Sequence, residues 1–120
     1  MSDDIQAVLD RLEFYEAVHP DSVPVRRIPF TADDRELLHR KLRDYEDART
    51  LVRNTKFHDE KTKELESISA RARDEIALLL FKHDSLLGTE LDDGRILKVE
   101  RGRAAKTTVV LKFTPKQKLS

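Results

Sequence analysis

The chain has no cysteine, no tryptophan, only three glycines, and no net charge, since 23 basic residues offset 23 acidic ones. Without cysteine there can be no disulfide framework, no thiolate metal site and no cysteine nucleophile, which fits a reducing compartment. No GxSxG, Walker A or GxGxxG pattern occurs, and no glycine precedes Gly88, so the phosphate cradles and nucleophile elbows built on glycine are absent as motifs. Long apolar runs are missing too. The longest, Ile76 to Phe81, is far too short to span a bilayer, and the opening "MSDDIQAVLD" is acidic and lacks the basic and apolar regions of a secretory signal. The expectation is a soluble, cytoplasmic protein with no membrane partner.

What is present is charge and helix-forming residues. Charged and apolar residues each make up 38% of the 120 residues, a balance that favours long solvated helices over a thick core, within one domain's worth of chain. Net neutrality hides an asymmetry. Residues 1–30 carry three basic and six acidic groups, whereas residues 94–120 hold eight cations against Glu100 alone. The C-terminal end is therefore the basic pole.

Punctuation divides the chain. Three of the four prolines fall between His19 and Phe30, separating a helix over 1–18 from a proline-fixed strap over 19–31. Ile5, Val8, Leu9, Leu12 and Tyr15 recur at helical spacing in the first segment, with Ser2 as its N-cap and Asp3 and Asp4 at its positive end. In the strap, "SVPVRRIPF" reads as a segment that carries the chain back along the next helix, burying Ile28 and Phe30, and alternatively as a linear docking peptide. Thr31, followed by Asp33 and Asp34, is the next helix start signal.

Residues 32–87 hold neither proline nor glycine and are rich in Glu, Lys, Arg, Leu and Ala, so they favour helix throughout. One stripe runs through Leu38, Leu42, Tyr45, Ala48 and Val52. A second runs through Leu65, Ile68 or Ser69, Ala72, Ile76 and Leu79, and between them, over "RNTKFHDEKTK", the pattern fades. A turn near Asn54 to His58 would give an antiparallel helical hairpin that buries both stripes. The alternative is one continuous coiled coil of roughly 80 Å.

After Gly88 the period drops to two. Asp93-Gly94 predicts a tight primed turn between a short strand ending near Leu91 or Asp92 and a longer one over Arg95 to Arg101. A third strand is expected over Thr107 to Thr114. Alternation puts Leu97 and Val99 on one face, and Val109, Leu111 and Phe113 on the matching face of the next strand. The whole reads as a predominantly helical α+β protein with a small C-terminal antiparallel meander over 88–114 and a frayed tail over 115–120.

The basic residues of this meander are the strongest site candidates. Arg101, Arg103 and Lys106 sit in or beside the loop "RGRAAK", and Lys98 and Lys112 project nearby, a shape suited to phosphates or to an acidic protein. The simpler reading is that these cations keep a small, edge-rich sheet from pairing with others. Four scattered histidines (His19, His39, His58, His83) lack the i, i+4 spacing of a helical metal pair, and "FHDE" over Phe57 to Glu60 has poor geometry for one ion. His83 reads as a half-buried histidine near a helix end. Acidic residues such as Glu46, Glu60, Glu64, Asp74 and Glu75 read as solvated helix faces, not as a catalytic pair.

Charged helices followed by "DDGRILKV" and a second short strand, over roughly residues 44–113, are similar in layout to small phage nuclease-inhibitor proteins of the Gam-like kind. That resemblance implies helical arms, short strands and a role at DNA ends. The composition supports a non-catalytic interaction or assembly protein with neither cofactor nor small-molecule substrate, self-associating through its helices and meeting a partner through the basic hairpin. The alternative is a nucleic-acid-binding accessory factor that contacts phosphates through the same residues.

Overall fold

The computed structural model describes residues 3–18, 29–54, 60–102 and 108–114. It contains three helices, α1 (Asp3–Ala17), α2 (Ala32–Asn54) and α3 (Glu60–Lys82), then three strands, β1 (Thr89–Glu90), β2 (Ile96–Arg101) and β3 (Val109–Thr114). The strands form one antiparallel sheet in the order β1-β2-β3. The expected α+β meander is present.

Helix α2 starts where its cap requires. The Thr31 hydroxyl accepts a hydrogen bond from the Asp34 amide at 3.1 Å, and the Thr31 carbonyl accepts the first helical bond, from the Arg35 amide, at 2.9 Å, so one side chain satisfies an otherwise orphaned donor. Helices α2 and α3 run antiparallel. Asp34 pairs with Lys82 and, one heptad along each helix, Lys41 pairs with Glu75, a progression that only opposite directions allow. The two stripes meet between them through Leu38, Leu42, Ala48, Ala72, Ile76 and Leu79. At the ambiguous position, Ser69 is buried and Ile68 is 45% exposed. The connection over 55–59 lies outside the described residues.

The hairpin forms one layer and α1 with the sheet forms the other. Helix α1 lies on α3 and β2, and β3 lies on α3, so Ile5, Val8, Leu9 and Leu12 join Ala77, Leu80, Leu86, Leu97, Val99, Val109 and Leu111 in one continuous apolar cluster. Alternation is as expected: Leu97 and Val99 are buried on β2, and Val109 and Leu111 on β3.

The β1–β2 turn departs from the expectation. The Gly94 amide bonds the Leu91 carbonyl at 2.9 Å and the Leu91 amide bonds the Arg95 carbonyl at 2.8 Å, so Asp92, Asp93 and Gly94 form a three-residue loop. Gly94 has φ 90°, and Asp93 is not among the described residues with positive φ, as a primed Asp93-Gly94 turn would demand. This is the loop in which an ordinary turn is followed by one left-handed glycine. The corrected register pairs Thr89 with Leu97 and Glu90 with Ile96.

Candidate partner-contact surfaces

Among the described residues, the sheet end separates Arg101 from Lys98 and Lys112. Arg101 is the last residue of β2, and it shares parity with the buried Leu97 and Val99, so its side chain is directed toward the core layer. Only 19% of it is exposed. Its Nη2 donates to the Glu16 carboxylate of α1, its Nη1 stands 4.0 Å from Glu13, and its Nε is buried without a hydrogen-bond partner. Arg101 thus fastens α1 to the sheet. Arg103 and Lys106 lie outside the described residues.

Lys98 and Lys112 occupy the opposite, outward face and stand directly across from each other in the β2–β3 register. Like charges at opposed positions disfavour the sheet, and Glu100, 3.2 Å from Lys98, relieves one of them. Lys112 is exposed. Behind this edge an open cleft of about 410 Å³ runs between α1 and β2, lined by Leu12, Tyr15, Glu16, Val99 and Arg101 among others. The carboxylate of Glu16 is already engaged there by Arg101.

Two further polar clusters anchor loops to helices, and neither was legible as a pair of residues in the sequence. On one side, Asp92 accepts from Arg35 at 2.8 Å and lies 2.9 Å from His39. Arg95 reaches Glu46 at 3.1 Å and Asp93 at 2.7 Å and lies over the Phe113 ring at 5.0 Å. The Arg95 backbone amide, and then its side chain, hold the Asp93 carboxyl below its usual range. These contacts clamp the β1–β2 hairpin onto α2. On the other side, His83 is buried more deeply than expected, its ring stacked on Phe30 with centroids 4.0 Å apart. His83 Nε2 lies 2.8 Å from Asp34 Oδ2, and Lys82 Nζ lies 3.0 Å from the same oxygen. The hydrogen bond with His83, then that with Lys82, keep the Asp34 carboxyl below its ordinary value. Phe30 is thus half-buried; Ile28 and the rest of the strap over 19–28 lie outside the described residues.

Among the described residues no group of three or more His, Cys, Asp or Glu side chains could hold a metal ion, and no helix is long and apolar enough to cross a membrane. The cluster over Phe57 to Asp59 lies outside the described residues. No family model, curated protein or solved structure matches the chain.

The remaining surface is the outer face of the α2/α3 layer. Arg35, His39 and Glu46 face the sheet, and Asp44 and Leu51 lie on the opposite side of α2, since each residue advances about 100°. On α3, Ile68 and Arg71 precede Ala77 and Leu80 by nine residues, half a rotation away from α1. Leu51 is 52% exposed and Ile68 45% exposed. Both therefore stand on a face that neither α1 nor the sheet covers.

Proposed function

We propose that the protein is a non-catalytic interaction and assembly module that associates with itself through its helices and presents its sheet end to a partner. One observation carries this reading: among the described residues the hairpin layer is covered on one side only, by α1 and the sheet, and its other side exposes Leu51 and Ile68. Two helices with one covered face and one apolar-spotted open face have an incentive to bury the second. The basic cluster supports an adhesive role less than the sequence suggested, because Arg101 is spent internally on Glu16 and Glu13. Light scattering after size exclusion tests the reading. A mass of twice the 13.9 kDa chain is expected on the order of tens of micromolar, and Ile68→Glu should return the monomer. A strictly monomeric wild type would refute it.

A second reading, phosphate contact, is favoured by the outward Lys98–Lys112 juxtaposition, which costs sheet stability unless an anion meets it. Duplex DNA titrated at two salt concentrations is the test. Loss of Lys98 and Lys112 to glutamine should flatten the log-log salt slope by roughly two, and absence of wild-type binding at low salt would remove this reading.

A further inference from the structure

The hairpin face that no described element covers has a charge layout that identifies its occupant. Lys41 and Glu75, ion-paired across α2 and α3, mark one height along the hairpin. Three residues on in α2 stands Asp44, and four residues back in α3 stands Arg71, so these two share the next height. Both are exposed and neither makes an ion pair among the described residues. One heptad further along each helix from Asp44 and Glu75 come Leu51 and Ile68. Leu37 and Leu78, half-buried and packed against the core cluster, flank the same face at its other end.

We propose that a second copy of this chain covers the face, related by a twofold axis running along the hairpin. Such an axis preserves height and exchanges left for right. Helix α2 of one copy then lies on α3 of the other, and the four helices form a bundle in which every neighbouring pair is antiparallel, the arrangement that dipoles and short connections favour. The polar heights match: Lys41 meets Glu75 of the second copy and Asp44 meets Arg71 of the second copy, while Leu51 and Ile68 of the second copy, about 4.5 Å apart in height, sit diagonally along the same seam; the symmetry then repeats each contact once. A twofold axis across the hairpin instead would lay α2 on α2 and α3 on α3, and would remove the opposition of Asp44 to Arg71 at equal height. The ammonium and carboxylate of the existing Lys41–Glu75 pair would become a four-membered network, and exposed Asp44 and Arg71 would gain counter-ions that no described residue of their own copy supplies.

This inference rests on the self-association proposed above, and the test separates the two. Two variants, Asp44→Arg and Arg71→Asp, are made in the full chain and checked for helix content by circular dichroism. Each alone opposes like charges twice across the twofold, and should weaken the dimer by roughly tenfold or more. Mixed one to one, they oppose unlike charges at both sites. Native mass spectrometry should then show the mixed dimer in preference to either homodimer, and the D44R/R71D double variant should dimerise like the wild type. A wild-type dimer indifferent to both single variants would overturn this face and symmetry while leaving self-association in place. A wild type monomeric on the order of 100 µM would overturn both.

Discussion

Asp34 sits where a capping box would turn its carboxylate back on its own helix start, three residues after Thr31. It reaches instead across 49 residues to His83, because the α3 end lies beside the α2 start in the antiparallel pair. That partner was invisible in the sequence: the helical start signal was legible, but which group would take the carboxylate depended on the register of two helices. The linkage has a definite sign. A carboxyl held below its usual value contributes stability that is complete above the ordinary carboxylate range and fades as pH falls through the lowered value. The urea midpoint should thus decline below about pH 4, and Asp34→Asn should lower the midpoint at pH 7 and blunt that decline. Unfolding curves across pH 2 to 7 measure both, on the order of the range named by reference carboxylate values. Leu80 offers the contrasting case of pure packing. It has no exposed surface, and Leu80→Ala should cost about 2–5 kcal/mol, a large share of a small domain's roughly 5–15 kcal/mol, as read by chemical denaturation.

At the scale of elements, helix spacing was legible and loop geometry was not. The stripes of Leu38, Leu42 and Ala48 and of Ala72, Ile76 and Leu79 are buried because period alone selects a helix face. Asp93-Gly94 carries the composition of a primed turn, yet strand register decides the loop, and the pairing of Leu91 with Arg95 leaves room for three residues. Gly94→Ala should cost about 1 kcal/mol or more, since a side chain at φ 90° is strained; thermal melts would show it. Arg101 was misjudged by nearness to a basic loop, although the alternation that buried Leu97 and Val99 pointed its side chain the same way. Arg101→Met should release the end of α1 without unpairing β2 and β3. Amide exchange in α1 should quicken about fivefold, corresponding to roughly 1 kcal/mol for a partly solvated pair, while strand amides keep their protection.

For the whole molecule, the two-layer arrangement makes the hairpin both core and exterior: one side serves α1 and the sheet, and no described element covers the other. If the neighbour is a second copy, the unfolding midpoint should rise with protein concentration, and calorimetry at concentrations spanning about 100-fold should move it upward by mass action. Composition anticipated the thin core, since a chain so rich in charge supplies few residues to bury. It could not show which face would be covered, because that follows from where α1 lands, and α1 is placed by contacts to residues far downstream.

That placement has a consequence for how the protein is made. The Glu16–Arg101 contact joins residues 85 apart in the chain. Helix α1 is translated before the surfaces that bury Ile5, Val8, Leu9 and Leu12, first α3 and, later still, β2. At about 5–20 residues per second the apolar side of α1 waits roughly 4–17 s for β2. During that interval α3 can cover part of it, and the part that β2 covers stays open to chaperones and to other nascent chains. Helix α1 is made before the elements it packs on, and its packing is complete only when β2 arrives.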